Sequence, residues 1–164
     1  MPEQATVTIR KMRAEDLPRV TEILARWNMA PRRPTAELPD VESTGLEKLG
    51  AAMVAVAGDR IVGSASYILH GHRRAETGSL AVDPEWRGSG VGAQLQRARL
   101  AELKSLGVEE IFTETDRPEV VEWYVRKFGY RIAGTRPKKH AFSRPDIDRW
   151  TVLELDLRAW TPGR

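Results

Sequence analysis

The chain has 164 residues, 41% of them hydrophobic and 30% charged, the size and balance of one globular domain that buries roughly two-thirds of its unfolded surface. It has no cysteine and three histidines, His70, His72 and His140, which excludes disulfides and a thiol nucleophile and leaves no spacing suited to a metal site. The formal net charge is only +3, too small an excess for a dedicated nucleic-acid binder.

Thr6 to Lys11 alternates apolar and polar positions and predicts a strand. Asp16 as N-cap, with Pro18 just inside, opens a helix whose stripe is Leu17, Val20, Ile23, Leu24 and Trp27. Asn28 to Gly50 carries three prolines and little periodicity, which predicts a long surface segment with one short helix near Glu42 to Leu49. Ala52 to Ala57 and Ile61 to His70, joined by Gly58-Asp59-Arg60, form an antiparallel hairpin, and Glu76 to Val82 is the next strand. The longest apolar run, Ala51 to Ala57, is far too short for a membrane span.

After Asp83-Pro84 comes Arg87-Gly88-Ser89-Gly90-Val91-Gly92, then a helix with Val91, Leu95, Ala98, Leu103 and Leu106 as its apolar positions and Gly107 at its end. Ile111 to Thr115 is a strand. Arg117-Pro118 starts another helix, with Val121, Tyr124, Val125 and Phe128 on one face and Gly129 closing it. Tyr130 to Ala133 and Trp150 to Leu157 are the last strands. Between Arg126 and Arg149 stand eight Lys and Arg against two Asp, so the excess positive charge is concentrated there. The order predicts a single mixed α/β domain over residues 1–164. The N-terminus has no basic start followed by an apolar core, so no secretory leader is expected and a cytoplasmic location is the default.

A glycine-rich turn between strand and helix lets consecutive backbone N–H groups converge, and such a nest at a helix N-terminus binds phosphate. The spacing of Gly88, Gly90 and Gly92 fits neither the dinucleotide-binding fingerprint nor a P-loop. On spacing alone, an ordinary strand-to-helix turn explains it equally well.

The stretch from Glu76 to Gly92 resembles the GNAT superfamily of acyl-CoA N-acyltransferases. The signature Arg/Gln-x-x-Gly-x-Gly/Ala is met by Arg87, Gly90 and Gly92, after a strand ending Leu-Ala-Val-Asp-Pro-Glu. Ile9-Arg10 through Leu17 resembles the start of such a domain, and Lys127-Phe128-Gly129-Tyr130 the end of its last helix. The resemblance implies a mostly antiparallel central sheet with one splayed parallel strand pair, flanked by helices. It implies acetyl-CoA as co-substrate, its pyrophosphate on Arg87, Gly88, Ser89, Gly90, Val91 and Gly92, and its pantetheine arm beside backbone groups of Leu80 and Val82. Arg97 is a further candidate for a phosphate, or else part of a solvated helix face.

Acyl transfer in this superfamily is direct: an amine attacks the thioester, a base takes its proton, backbone N–H groups stabilise the oxyanion and an acid protonates the thiolate. Strict alternation puts Glu76, Gly78, Leu80 and Val82 on one strand face. Glu76 is the candidate base implied by the resemblance, with an exposed carboxylate as the bland alternative, and Glu114 is a substitute. The acid in many members is a tyrosine four residues before a glycine. Here Val125 holds that position and Tyr124 precedes it, so Tyr124 either reaches the sulfur through a local bulge or is a core residue.

The segments Asn28 to Gly50, with Arg32 and Arg33, and Gly134 to Arg149 would flank the acceptor groove and suggest a carboxylate- or phosphate-bearing acceptor, or simply a solvated basic surface. The expected acceptor is a small-molecule primary amine, with protein amines open. No metal, membrane or nucleic acid is expected, and Trp150 to Trp160 offers apolar side chains for a homodimer contact. The other reading is a non-catalytic acyl-CoA-binding sensor or regulatory module.

Overall fold

The structure, a computed structural model, describes residues 6–29, 51–138 and 143–162. Seven strands, β1 (Val7–Lys11), β2 (Ala52–Ala57), β3 (Arg60–Gly71), β4 (Arg74–Val82), β5 (Glu110–Thr115), β6 (Arg131–Pro137) and β7 (Arg149–Asp156), form one sheet in the order β1-β2-β3-β4-β5-β7-β6. All neighbours are antiparallel except β4 and β5. That parallel pair is joined by a helical crossover, as parallel strands require. The expected mixed α/β sheet with a single parallel pair is the observed one.

The helices are α1 (Leu17–Arg26), α2 (Val91–Ser105) and α3 (Pro118–Phe128). α1 buries Val20, Ile23 and Leu24 against Val54, Ile61 and Ala81 on one sheet face. α2 lies on the other face, with Val91 and Leu95 against Met53, Ala55, Val62 and Ala65. Further along, Leu100 and Leu103 join Tyr124 and Phe128 of α3 over Ala75, Ile111 and Leu153. β2 is buried on both sides, which accounts for its unbroken apolar run. At Gly63, an added Cβ would meet Leu95 Cδ1 at 2.9 Å and the Ala81 carbonyl oxygen at 3.1 Å, so α2 seats closely only over a glycine.

Several local expectations need correction. The Asp16 side chain makes no cap bond to α1. It accepts from the Arg10 guanidinium at 2.7 and 3.0 Å and from the Arg13 N–H at 2.7 Å, because a 3₁₀ turn over Ala14–Asp16 precedes the helix. Trp27, at the C-cap of α1, packs half-buried against the cluster of Val20, Ile23 and Leu24, as expected. Leu106 is 48% exposed, and the buried α2 face instead includes Gln96 and Arg99. Val125 is 38% exposed, since Tyr124 and Phe128, four apart, already fill the inward face of α3. The β3–β4 hairpin turns through His72-Arg73, both left-handed at φ 50° and 60°, the backbone of a tight two-residue turn. β6 extends to Pro137, four residues beyond the predicted end. The short helix expected at Glu42 to Leu49, and Arg32, Arg33, Lys139 and His140, lie outside the described residues. Among the described residues, no helix is long and apolar enough to cross a membrane.

Candidate active site

β4 and β5 pair only from Arg74↔Glu110 to Thr77↔Thr113. Beyond that point they diverge, and a cleft of about 480 Å³ opens between Gly78–Val82 and Thr113–Thr115. The divergence begins at a bulge. The register with β3 runs Ser66↔Gly78 and then Ser64↔Ala81, so β4 spends one extra residue there, and Ser79 takes a left-handed φ of 50°.

The extra residue inverts the alternation. Ala75, before the bulge, packs on the α2–α3 face, as Leu80 does after it, while Ala81 packs under α1. Leu80 and Val82 therefore share a face with Ala75, and Glu76 lies on the opposite face. The expectation that Glu76, Gly78, Leu80 and Val82 share one face fails for this reason. The Glu76 Oε1 lies 3.1 Å from His70 Nε2, and the His70 ring packs at 5.5 Å on Phe112. Glu76 does not line the cleft, whereas Glu114, two positions beyond Phe112, does. Glu114 is held by Arg136, with Nε 2.7 Å from Oε1 and Nη2 2.6 Å from Oε2.

The cleft ends on the glycine turn. Asp83 accepts from the Glu85 N–H at 3.0 Å and from Arg19 Nη2 at 2.6 Å; burial raises its pKa, and these two donors more than offset that, so it stays lowered. α1 thereby anchors the end of β4. Gly88 and Gly90 have φ of 77° and 86°, and Gly90 is the N-cap of α2. Gln94 N–H is the first to close a turn, on Gly90 O at 3.1 Å. The N–H groups of Val91, Gly92 and Ala93 precede it, in the part of a helix that has no intrahelical acceptors, that of Val91 donating to Ser89 Oγ at 3.4 Å. The helix dipole adds positive potential there, favouring an anion by about 0.3–1 kcal/mol for each well-placed charge. Ser89 turns inward, its Oγ donating to Trp86 O at 2.5 Å. Arg87 and Gly92 line the cleft; Arg97, half-exposed on α2, does not.

Two arginines bracket an indole at the mouth. The guanidinium of Arg87 lies 6.0 Å from the Trp27 ring and that of Arg117 5.4 Å from it, and Trp27 Nε1 donates to Val82 O at 2.8 Å. Trp27 thus satisfies a carbonyl at the end of the splayed strand. Arg117 also donates to Ser143 Oγ at 3.1 Å.

At the floor stands Tyr124, 4% exposed. α3 is a regular helix here, without a bulge, and Tyr124 both belongs to the core and lines the cleft. Of the two alternatives posed by the sequence, the local bulge is absent and the core placement is observed. The Tyr124 hydroxyl accepts from Arg99 Nη2 at 3.3 Å. Gln96 and Arg99, the buried polar pair beneath it, carry no signal in the sequence beyond their two positions on an otherwise apolar helix face.

Of the described Lys and Arg between Arg126 and Arg149, none lines the cleft. Arg126, Arg131, Arg136, Lys138 and Arg144 instead pair with Glu122, Glu154, Glu114, Asp116 and Asp146. Among the described residues no group of His, Asp and Glu is arranged to hold a metal.

Residues 13–130 match the family model described as the acetyltransferase (GNAT) family. The chain belongs to that family. The GNAT fold is equally plain in the solved structures it resembles. The ribosomal-protein-S18-alanine N-acetyltransferase of Escherichia coli superposes with a TM-score of 0.73 at 18% identity, over 97% of this chain and 99% of that one. Ard1 of Thermoplasma volcanium gives 0.71 at 23%, over 92% and 97%. N-acetylglutamate synthase of Neisseria gonorrhoeae, complexed with coenzyme A and N-acetyl-glutamate, gives 0.69 at 17%, over 94% of this chain and 36% of that one. No curated protein matches the chain in sequence.

Proposed function

We propose that this GNAT protein transfers an acetyl group from acetyl-CoA to a primary amine of a small molecule, by direct attack and without a covalent enzyme intermediate. The observation that carries the reading is the splay itself: β4–β5 pairing stops at Thr77↔Thr113, and the cleft beyond leads to the N-terminus of α2. Unpaired strand backbone suits an extended amide-bearing arm, and the first-turn N–H groups suit a diphosphate. In this reading Arg87, Gly88, Ser89, Gly90, Val91 and Gly92 hold the pyrophosphate, with backbone N–H of Val91 and Gly92 as donors and Arg87 as counter-charge. Backbone groups of Leu80 and Val82 flank the arm, the Val82 carbonyl sharing its oxygen with Trp27. Bound acetyl-CoA supplies an activated acyl group and a thiolate leaving group.

Bond making and breaking balance simply: a C–N bond forms, the C–S bond breaks, the amine loses a proton and the thiolate gains one. Tyr124, which lines the cleft, is the proposed acid. Glu76 is the proposed base. It shares a sheet face with Glu114 and stands two residues, roughly 7 Å of strand, from cleft-lining Gly78, so a proton reaches it through water. Glu119, at the cleft, favours a cationic amine on approach. The basic run from Arg126 to Arg149 gives the anionic-acceptor idea no support, because none of its described charges lines the cleft and Arg126, Arg131, Arg136, Lys138 and Arg144 are each paired with a carboxylate.

A binding module that senses acyl-CoA is the second reading, favoured by Val125 at the customary tyrosine position and by Glu76 lying off the cleft. Following thiol release from acetyl-CoA with a panel of amines separates the two. Amine-dependent release abolished in Tyr124→Phe supports the enzyme; tight coenzyme A binding without release for any amine supports the module.

A further inference from the structure

Arg99 is fully buried at 0% exposure. All five of its donors are used: Nε and Nη2 on Gln96 Oε1, Nη1 on Ser66 O at 3.0 Å and on Gly78 O at 3.1 Å, and Nη2 also on Tyr124 Oη. None of these acceptors carries a charge, and among the described residues no carboxylate pairs with it. A buried guanidinium whose hydrogen bonds are complete but whose charge is uncompensated is costly, and packing alone would be met by a leucine or methionine.

Its partners are the two groups that define the cleft floor. Gly78 O also accepts from Ser66 Oγ at 2.8 Å, so this carbonyl is fixed by two donors from the β3 and α2 side. In a planar trans peptide the N–H points opposite to the carbonyl. The Ser79 N–H is therefore turned away from those donors, beyond the last β4–β5 pair, on a stretch that lines the cleft. The Tyr124 hydroxyl accepts from Arg99, which leaves its own hydrogen free to donate. Gln96 is held in turn, its Nε2 donating to Tyr130 Oη at 2.9 Å. Burial keeps the Tyr130 pKa raised, so that hydroxyl stays neutral, and no negative charge enters the network.

We propose that Arg99 is a positioning residue for acyl transfer: it sets the Gly78–Ser79 peptide and the Tyr124 hydroxyl as convergent donors and gives the cleft floor a net positive potential, matched to the sulfur and carbonyl oxygen of an acyl thioester as they gain negative charge. This rests on reading the cleft as the acyl-CoA site. A dry positive floor favours a thiolate over a thiol, so the effect is measurable on coenzyme A alone, without turnover.

The test is ultraviolet titration of the thiol of coenzyme A bound to the protein, with affinity for coenzyme A and desulfo-coenzyme A measured by calorimetry. In the unsubstituted protein the bound thiol titrates at least about one pH unit below the free thiol. In Arg99→Met that difference disappears while desulfo-coenzyme A still binds. Arg99→Lys retains the charge and loses the fork; it keeps the lowered titration, but kcat falls on the order of 100-fold with KM for acetyl-CoA unchanged. If Arg99→Met does not fold, Arg99→Lys and Tyr124→Phe carry the test. Unchanged thiol titration in Arg99→Met, or unchanged kcat in Arg99→Lys, overturns the proposal. A free-like titration in the unsubstituted protein overturns it too. Failure of that protein to bind coenzyme A at all would instead overturn the reading of the cleft.

Discussion

Glu76 and Glu114 occupy one sheet face but different stations, and that separates their roles. Glu114 is gripped by both guanidinium nitrogens of Arg136, so its lone pairs are largely spoken for. Glu76 meets the imidazole of His70. Glu76→Gln is expected to lower kcat by about 10²-fold, the usual scale of a lost general base, with coenzyme A affinity unchanged. Glu114→Gln should act mainly on KM for the amine. Steady-state kinetics on the two variants checks this, and an inverted pattern would make Glu114 the proton acceptor. At the turn, Gly90 has φ of 86° and open space around a would-be Cβ, so Gly90→Ala meets backbone strain without a clash. The expected result is a loss of about 1 kcal/mol in stability and a larger relative loss in coenzyme A affinity, because the first-turn N–H groups of α2 are re-aimed. Calorimetry with coenzyme A reads both.

Among the elements, what the sequence made legible follows from where a single rule governs the chain. The β2–β3 hairpin, α1 and the strand–turn–helix at Arg87 to Gly92 each follow from hydrophobic period or glycine placement, and they stand where expected. The faces of β4 do not, because a bulge is a tertiary decision. Nothing in Thr-Gly-Ser-Leu marks Ser79 as left-handed, yet that one residue moves Leu80 and Val82 to the face opposite Glu76. α2 shows a second limit: periodicity assigns an apolar stripe but cannot see that Gln96 and Arg99 complete each other's hydrogen bonds under the sheet. Val125 shows a third, since an apolar residue beside a buried tyrosine reads as core whichever way the helix is rolled. The basic run from Arg126 to Arg149 reads as a groove wall because several of its carboxylate partners, Glu114, Asp116 and Glu154, come from distant positions in sequence. Close seating of α2 makes a further prediction. Gly63→Val should destabilise the fold by about 1–3 kcal/mol through overpacking against Leu95 and the Ala81 carbonyl, seen as a lowered denaturation midpoint.

For the molecule as a whole, the ends of β5 and β6 are tied together by a buried ion pair. Lys138 Nζ lies 2.8 Å from Asp116 Oδ2, with side chains 3% and 1% exposed, and the Arg144 N–H donates to the same oxygen at 2.8 Å. Ser143 N–H in turn donates to Asn28 O at 2.9 Å, so the ends of β5, β6 and α1 meet there. Burial raises the Asp116 pKa, but Lys138, the Arg144 N–H and Ser143 together hold it below the ordinary 3.8. A carboxylate depressed in the folded state contributes its stability fully above the unfolded value and loses it as pH falls through the folded one. Stability should therefore drop below about pH 4, and Asp116→Asn, which strands a buried lysine, should cost about 3–5 kcal/mol at neutral pH and flatten that acid slope. Urea denaturation across pH 2.5 to 7, taken as a range of roughly the carboxylate titration, measures both.

The central claim is that the splay between β4 and β5 is an acyl-CoA site, and thermal unfolding with coenzyme A, acetyl-CoA and ATP in parallel tests it most directly. At about 100 times the dissociation constant a specific ligand stabilises by roughly 2.7 kcal/mol. The account predicts a shift of that size with both forms of coenzyme A, little with ATP, and its loss in Gly90→Ala. No shift with coenzyme A, or an equal shift with ATP, would contradict it.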